Sequence, residues 1–397
     1  MTFGRKDCDM KDTMTPRERV HRALNHEIPD RVPIDLGGFQ SGIHRKAYQN
    51  LLAHLGIQDE KQEILDPVQQ LAVPCEQLLQ RLHVDTRYVR AHGPDGFDGS
   101  IKQNRRQGRL WHDLKDEFGV VWSMPDDQML YMDISHHPLA NATAADLKDY
   151  PCPNGADPSR FTGLRKWAQR LHDDTPYAIS TTIGGSMYEY SWYMRGLERW
   201  FMDMIENVDY CHASLDMMLK FWKDCFTAYM DQIGDLLDVV QIGDDLAAQH
   251  GVLFSPQFYR KIVKPRQQQL IEHIKSLTSA KIWYHTCGSC VELIPDLIEV
   301  GADIINPVQI SAANMQPSSL KKKFGQDIVF WGGGCDPQRV LPFATPDEVR
   351  QHVRENIQAF KQGGGYVFNN VHNIQSDVPP ENIVALFDAA YEFGSMQ

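Results

Sequence analysis

His285 and Cys287 stand two positions apart at the end of a short apolar run, and both side chains are ligands that zinc prefers. Residues two apart on an extended segment point the same way, so an imidazole nitrogen and a sulfur can meet at one point. Two ligands do not hold a zinc ion alone. The pair therefore predicts zinc if other segments supply ligands, and otherwise a hydrogen-bonded histidine beside a buried thiol.

Two further candidate ligands, Cys335 and His372, each follow another apolar run. Thiolate and imidazole both suit zinc, so the residues alone leave the third ligand open between these two. Cys290 instead opens the next amphipathic segment and is predicted to be a packed thiol.

Carboxylates form a second group of candidates. Asp244 and Asp245 are adjacent at the end of an apolar run, where neighbouring acids can split their pKa values, orient a donor or ligate a metal. Glu189 lies in the aromatic stretch 188–192, which can wall an apolar pocket. We predict that Asp245 and Glu189 are catalytic and line the pocket. The competing interpretation makes Asp245 a helix cap and the aromatic stretch ordinary core.

Other polar and aromatic side chains near the ends of the same runs are predicted to bind the substrate. Amides can donate to or accept from a substrate oxygen, and aromatic rings can enclose its apolar part. The predicted substrate-binding residues are Asp244, Gln249, Asn306, Gln309, Tyr188 and Trp331.

All these candidates belong to a chain in which eight short apolar runs alternate with amphipathic segments. Such alternation is typical of a parallel sheet, and eight strands with a final helix predict a closed (β/α)8 barrel in the α/β class. An open doubly wound sheet is the alternative, but Gly37-Gly38 after the first run does not complete a G-x-G-x-x-G motif. The predicted strands span residues 32–35, 84–89, 177–182, 239–243, 282–285, 304–307, 328–331 and 366–370.

Catalytic groups of such a barrel come from the C-terminal ends of its strands. The clearest predicted helices between strands span residues 291–300, 346–362 and 381–393. The Thr-Pro-Asp-Glu segment at residues 345–348 predicts a capping box at the start of the second of these helices. The predicted mouth of the barrel gathers Gly37, Asp245, His285, Asn306, Cys335 and His372.

The barrel is predicted to span residues 15–397, after a flexible N-terminus of residues 1–14. The Thr-Pro-Arg-Glu segment at residues 15–18 predicts a capped helix, which gives the barrel an N-terminal helical extension. Residues 92 to about 150 are rich in Gly, Asp, Pro and aromatics and interrupt the alternation, which predicts an inserted β-hairpin region. Its predicted strands include residues 118–122 and 129–134.

Composition excludes several classes of protein. The 397 residues are 42% hydrophobic and 23% charged, which favours a sizeable core over a disordered chain. A net charge of −12 disfavours binding to nucleic acid or an anionic membrane. There is neither an apolar stretch typical of a membrane span nor a secretory signal, and eight cysteines in a chain this long are not typical of a disulfide framework. We therefore expect a cytoplasmic protein that acts on a small molecule, with a homo-oligomer left open.

Several short segments occur in order along most of the chain, namely Arg17-Glu18-Arg19-Val20, Asp30-Arg31-Val32-Pro33, Gly243-Asp244-Asp245, Ser255-Pro256, Lys264-Pro265-Arg266, His285-Thr286-Cys287-Gly288, Asn306-Pro307-Val308-Gln309 and Pro379-Pro380-Glu381-Asn382. Together they resemble the uroporphyrinogen decarboxylase superfamily. The resemblance implies a TIM barrel, in agreement with the eight apolar runs.

Two branches of that superfamily differ after the first strand. True uroporphyrinogen decarboxylases carry an R-Q-A-G-R loop there, whereas residues 37–42 of this sequence hold no arginine and the first one is Arg45. The other branch contains zinc methyltransferases that work with a corrinoid protein, including coenzyme M methyltransferases and demethylases, and carries His-x-Cys with a distant thiolate. His285 and Cys287 match the first two ligands, and His372 occupies the place of the third. The sequence therefore resembles the methyltransferase branch more closely.

The resemblance implies a zinc-dependent methyltransferase that moves a methyl group between a small molecule and a corrinoid. The small molecule would be a methylated donor such as a methoxy compound, or a thiol acceptor. A histidine as third ligand makes the site less anionic and the metal a stronger Lewis acid, and Cys335 is the rival ligand. No D-x-H-x-x-G motif occurs, so a separate protein would present the corrinoid (cobalamin). The alternatives are a metal-independent decarboxylase of a carboxylated small molecule, using Asp244, Asp245 and Arg45, and a non-catalytic binding barrel.

Overall fold

The computed structural model describes residues 12–128, 130–181 and 184–396. The strands are β1 (Ile43–His44), β2 (Ile64–Asp66), β3 (Leu71–Ala72), β4 (Thr86–Val89), β5 (Lys102–Arg106), β6 (Arg109–Lys115), β7 (Val121–Pro125), β8 (Asp133–His136), β9 (Ala178–Thr181), β10 (Val239–Gly243), β11 (Ala247–Ala248), β12 (Gly251–Val252), β13 (Lys281–His285), β14 (Ile304–Asn306), β15 (Val329–Trp331) and β16 (Tyr366–Val367). The helices are α1 (Pro16–Leu24), α2 (Arg45–Leu55), α3 (Glu76–Arg81), α4 (Leu164–Asp174), α5 (Tyr188–Arg195), α6 (Leu197–Glu206), α7 (Val208–Ile233), α8 (Pro256–Phe258), α9 (Lys264–Lys275), α10 (Ile294–Glu299), α11 (Pro317–Phe324), α12 (Pro346–Phe360) and α13 (Pro380–Phe393).

Seven strands form one parallel sheet in the order β4, β9, β10, β13, β14, β15, β16. The segment around Ile34 lies between the two edges of this sheet and closes it. Pro33 O accepts from Phe368 N at 2.8 Å on one side, and Ile34 O accepts from Asp85 N at 2.8 Å on the other. The predicted (β/α)8 barrel is confirmed. Its first predicted strand, residues 32–35, forms only a bridge, because Pro33 has no N–H to donate to a ladder.

The interior of the barrel is filled by side chains that alternate along the strands. Trp283 and Trp331 stack there with ring centroids 4.7 Å apart, next to inward-facing valine and isoleucine side chains. The intervening residues, such as Val240 and Ile242, pack outward against the helices. The barrel is therefore solid through its middle, and polar side chains can act only at its two ends.

Helices surround the sheet as the alternation predicts. α12 begins with the predicted capping box, in which Thr345 and Glu348 satisfy each other's backbone N–H groups. α7 is the longest, with 26 residues, and packs its apolar side on the barrel. Across the described ranges, no helix combines the length and apolar character needed to cross a membrane.

The lower end of the barrel, at the N-terminal ends of its strands, is closed by α1 and a buried ion network. Arg19 donates to Asp30 Oδ1 at 2.6 Å and to Asp85 Oδ1 at 2.7 Å, and Arg31 donates to Asp85 Oδ2 at 2.8 Å. The predicted helical extension is confirmed, with Thr15 as its cap. Of the predicted flexible segment, residues 1–11 lie outside the described residues.

The inserted region forms a four-stranded antiparallel sheet in the order β5, β6, β7, β8. An inserted antiparallel region is therefore confirmed, but its predicted strands are displaced. Residues 116–120 form a turn instead of a strand, because Asp116 Oδ1 accepts from Phe118 N and Val120 N at 3.0 Å. The second predicted strand includes Met129, which lies outside the described residues, and the observed strand β8 begins only at Asp133.

Candidate metal centre

His285, Cys287 and His372 come together at the mouth of the barrel, and their ligand atoms all lie within 4.8 Å of one another. His285 Nε2 lies 3.5 Å from Cys287 Sγ, and the two histidine rings have centroids 5.4 Å apart. Two ligands on a tetrahedral zinc, at bond lengths of ~2.1 Å and ~2.3 Å, stand about 3.6 Å apart. The donor set and its spacing therefore fit zinc with three protein ligands.

Neighbouring amides fix the tautomer of His285. Asn306 Nδ2 donates to Trp331 O at 2.9 Å, which leaves Asn306 Oδ1 as the acceptor for His285 Nδ1 at 2.7 Å. The proton of the ring therefore sits on Nδ1, and Nε2 presents its lone pair toward Cys287. Asn306, predicted to bind substrate, instead orients a candidate ligand.

Two side chains hold the loop that carries Cys287 by accepting hydrogen bonds from its backbone. Asp245 Oδ1 accepts from Cys287 N at 2.7 Å, and Gln309 Oε1 accepts from Gly288 N at 2.8 Å. Gln309 in turn donates to Gln249 Oε1 at 2.9 Å. A side chain at Gly288 would meet backbone atoms at 2.6 Å, so the loop can approach β11 only with glycine here. The predicted substrate-binding residues Gln249 and Gln309 thus position the loop.

His372 reaches the centre from the segment after β16. Burial, together with the nearby His285, lowers the pKa of His372 to about 4, so the imidazole is neutral and able to bind a metal. Burial and the carboxylates of Asp245 and Glu189 raise the pKa of the Cys287 thiol above its usual range. A metal binding here would therefore replace the thiol proton.

Cys335, the rival third ligand, packs in the hydrophobic core, where its Sγ lies 4.0 Å from Asp336 O. It is not part of the three-residue group, so the geometry favours His372 as the third ligand. Cys290 is also buried in this core, as predicted for a packed thiol.

Three acids lie beside the centre, and each has a different environment. Asp244 is buried and accepts from Ser186 Oγ at 2.9 Å, Glu189 N at 3.0 Å and Gln267 Nε2 at 3.2 Å. It therefore fixes the start of α5, and it does not line the cavity beside the centre, where its predicted role in substrate binding would place it. Burial raises the pKa of Asp244 to about 7. Asp245 is more open, with 36% of its side chain exposed, and its Oδ1 lies 3.6 Å from His285 Nε2.

Glu189 projects from the first turn of α5 into the mouth. It accepts from Tyr193 Oη at 2.9 Å and from Ser186 Oγ at 3.1 Å. Burial, followed by the charges of Asp245 and Asp244, raises the pKa of Glu189 to about 8. A carboxyl group that titrates near neutral pH can either give or take a proton during a reaction.

A cavity of about 540 Å³ opens beside these residues, a volume typical of small-molecule sites. Its lining comes from the strand ends, the segment around β2, α5, α7 and the inserted region. The side chains that line it include Phe39, Gln40, Asp66, Gln69, Asp116, Trp122, Tyr131, Ser186, Glu189, Tyr190, Tyr193, Trp222, Asp245, His285 and His372.

Two aromatic residues with predicted roles at the cavity are elsewhere. Tyr188 is fully buried and packs against Trp200 and Phe254, because it points from α5 toward the core. Trp331 points into the barrel, where its Nε1 donates to Asp35 Oδ2 at 2.9 Å. Tyrosine and tryptophan are both suited to a pocket wall, so the residue type does not decide their position. Their position depends on which face of α5 or β15 carries the side chain.

The inserted sheet and the loops after the first strand supply lining residues that the sequence did not reveal. Trp122 follows the turn at Asp116 and donates to Asp116 Oδ2 at 3.1 Å. Tyr131 Oη accepts from Gln375 Nε2 at 3.0 Å, which ties the insertion to the segment after His372. The enrichment of aromatics and acids in the insertion is the one sequence signal that could have indicated a role at the mouth.

Fold and site together define a (β/α)8 barrel with a His-Cys-His donor set at its mouth. A family model described as uroporphyrinogen decarboxylase (URO-D) matches residues 118–393. The chain therefore belongs to the uroporphyrinogen decarboxylase family.

Curated relatives match smaller parts of the chain. The uroporphyrinogen decarboxylase of Psychromonas ingrahamii is 40% identical over 75 residues, which cover 19% of this chain and 20% of the relative. That of Magnetococcus marinus is 27% identical over 188 residues, which cover 46% and 49%. The chain thus spans about half the length of these relatives or less.

A solved structure described as a methyltransferase from Methanosarcina mazei is similar over nearly its whole length. The TM-score is 0.61, with 16% sequence identity, and the match covers 96% of this chain and 99% of the other. At this level of identity the similarity establishes the shared fold.

Proposed function

We propose that the protein is a zinc-dependent methyltransferase that moves a methyl group between a small molecule and a corrinoid presented by a separate protein. The observation that carries the proposal is the group of His285, Cys287 and His372, which stands at the catalytic end of the barrel and opens into a cavity. Three protein ligands with an open fourth position are typical of catalytic zinc. Family membership and the fold shared with a methyltransferase support the same function.

Zinc bound by the three side chains would supply a Lewis acid for the oxygen or sulfur of the small molecule. In demethylation, the methyl–heteroatom bond breaks and its electron pair stays on the heteroatom. The electron pair of the new bond comes from reduced cobalt on the partner protein. In the opposite direction, a thiol loses its proton and its sulfur takes the methyl group, while the bonding pair returns to cobalt.

The chain's own acids complete this chemistry. Glu189 lines the cavity with a pKa near neutral, so its carboxyl group can supply the proton that a departing heteroatom needs, or accept the proton of a thiol. Asp245 accepts from the backbone N–H of Cys287, which keeps that ligand in place, and its carboxylate lies 3.6 Å from His285 Nε2. Asn306 fixes the ring of His285 from the opposite side.

The alternative, a metal-independent decarboxylase, requires a cationic group for the substrate carboxylates. Within the described residues, no Lys or Arg lines the cavity. Arg45, which that alternative needs, begins α2, and its backbone N–H donates to Gln70 O. The cavity therefore favours the methyltransferase.

The proposal is tested with zinc-loaded protein and free cob(I)alamin, which replaces the corrinoid protein. We expect methyl ethers or methyl thioethers to convert cob(I)alamin to methylcobalamin, or methylcobalamin to methylate thiols, followed by absorbance. Cys287→Ala should abolish the transfer, and Cys335→Ala serves as the matched control that retains it. Equal rates in the wild-type protein and Cys287→Ala, or the absence of transfer in both directions with a broad panel of substrates, would overturn the proposal.

A further inference from the structure

The charged groups that line the cavity are unusual in having one sign. Asp66, Asp116, Glu189 and Asp245 contribute carboxylates to its wall, and none of the cationic side chains in the described ranges lines it. Within the described residues, Asp66, Asp116 and Glu189 form no ion pair. Their hydrogen-bond partners are backbone N–H groups and neutral side chains. The cavity therefore holds acidic groups whose negative charge, when they ionise, the protein itself does not compensate.

Aromatic rings enclose this negative charge. Trp122 and Tyr193 meet edge to face with centroids 5.1 Å apart, and Tyr190 and Tyr193 do so at 5.3 Å. All three side chains are partly exposed, although they lie in the interior of the mouth, because they border the open cavity. Aromatic faces attract cations, and Trp does so most strongly. Carboxylates and aromatic rings together favour an organic cation over an anion.

A small pocket that shares Ser186, Glu189 and His285 with the cavity repeats this preference. Gln241 borders that pocket, and among the described residues its buried acceptor Oε1 has no hydrogen-bond partner. The orientation of the amide is set by Tyr88, whose hydroxyl donates to Asp35 and accepts from Gln241 Nε2. A donor group that enters the small pocket would satisfy Gln241 Oε1, whereas an acceptor would not.

We propose that the small molecule of the methyl transfer carries an ammonium group, held by Asp116, Asp66 and the aromatic wall while its oxygen or sulfur meets the metal. This inference rests on the proposed function only for the contact between the oxygen or sulfur and the metal. Recognition of the cation depends on the cavity and not on the metal. Burial raises the pKa of Asp66 and of Asp116, because neither carboxylate has a cationic partner in the protein. A bound cation would supply that partner and favour the ionised form of both groups.

The test uses three compounds that share one skeleton and differ in charge, namely 2-(4-methoxyphenyl)ethylammonium, 2-(4-methoxyphenyl)ethanol and 4-methoxyphenylacetate. Binding to the full chain is measured by calorimetry or tryptophan fluorescence, both after chelation and with zinc restored. We expect the ammonium compound to bind at least about tenfold more tightly than the alcohol, and the acetate to bind most weakly. An alcohol or an acetate that binds as tightly as the ammonium compound would overturn the inference.

Variants identify the carboxylate responsible. Asp116→Asn should reduce the preference for the ammonium compound over the alcohol by about threefold or more, because the carboxylate lies beside Trp122. Asp113→Asn is the matched control on β6, the strand that precedes Asp116, since Asp113 already pairs with Arg106 and does not line the cavity. If Asp116→Asn fails to fold, Asp66→Asn takes its place. An unchanged preference in a folded variant at either position contradicts the role of the two carboxylates.

This experiment separates the two proposals, because it needs neither a corrinoid nor turnover. Preferential binding of the ammonium compound without methyl transfer would leave the cation site intact and remove the proposed function. Methyl transfer with equal binding of all three compounds would do the reverse.

Discussion

At the lower end of the barrel Asp85 lies between Arg19 and Arg31, whereas at the mouth Asp244 and Glu189 are surrounded by neutral partners. The acids at both ends are largely buried, but arginine side chains neutralise the negative charge only at the lower end. The arginine network lowers the pKa of Asp30, while burial and mutual repulsion raise the pKa of Glu189. The lower network therefore stabilises the fold, and the acids at the mouth cost stability that only a bound ligand or metal can return.

The difference follows the general division of labour in such barrels, in which stability resides at the N-terminal ends of the strands and chemistry at the C-terminal ends. This division predicts that substitutions at the lower end mainly change stability, and that substitutions at the mouth mainly change zinc binding or turnover.

The largest effect is expected from Asp85→Asn, because it leaves two buried guanidinium groups without their shared charge. We expect the free energy of unfolding to fall by ~3–5 kcal/mol, measured by denaturant titration. The zinc content of the folded fraction should not change. A loss of less than about 1 kcal/mol would show that the lower network is not the stabilising element that its geometry indicates.

Asp245→Asn is the counterpart at the mouth. Its carboxylate holds the Cys287 loop and lies beside His285, so we expect turnover to fall by roughly 10–100-fold. The unfolding free energy should change by less than about 1 kcal/mol, because the side chain is partly exposed. An unchanged rate with a lower melting temperature would instead assign Asp245 to loop capping.

Asn306→Ala tests how the tautomer of His285 is fixed. Loss of the acceptor at Nδ1 should weaken zinc binding by about tenfold, measured by competition with a chromogenic chelator. Asn369→Ala is the matched control, since Asn369 is an equally buried barrel amide whose Nδ2 donates to Asp35 O. Both variants should lose similar stability. Equal zinc affinity in the two proteins would contradict the role given to Asn306.

The smallest effect is a difference in pH dependence between the two ends. Glu189 has a raised pKa of about 8 in the fold, so the folded protein holds more protons than the unfolded chain between pH 5 and 8. The stability of the zinc-free protein should therefore fall as the pH rises through this range, by on the order of 1 kcal/mol for each pH unit.

Glu189→Gln should reduce that slope, and the raised pKa of Asp244 accounts for the part that remains. At the lower end the sign is opposite, because the lowered pKa of Asp30 contributes stability that is lost only when the pH falls below about 4. A slope between pH 5 and 8 that persists unchanged in Glu189→Gln would contradict the proposed charge state of the mouth.

Much of the fold could be predicted from the sequence, because it depends on local patterns. The apolar runs located all seven sheet strands of the barrel, and the capping boxes at Thr15 and Thr345 located two helix starts. The first strand was shortened by Pro33, and its pairing depends on the far end of the chain at Phe368. The pairing of His285 with Cys287 is likewise local, since two positions on one strand end fix both directions.

The rest of the site depends on long-range packing. Tyr188 and Trp331 carry suitable side chains but face the core and the barrel interior, and no local pattern distinguishes these faces from the cavity. Trp122 and Tyr131 reach the cavity because the inserted sheet folds over the mouth. Docking of one element on another is not encoded in the sequence near either residue.

The most direct test of the central claim is the metal content of purified protein, measured by mass spectrometry for the wild type, Cys287→Ala, His372→Ala and Cys335→Ala. We expect one zinc per chain in the wild-type protein and in Cys335→Ala, and its loss in the other two variants, because His285, Cys287 and His372 form the donor set. Exhaustive chelation should abolish methyl transfer, and added zinc should restore it. Full activity after chelation, or zinc that is lost in Cys335→Ala and retained in His372→Ala, would contradict the account.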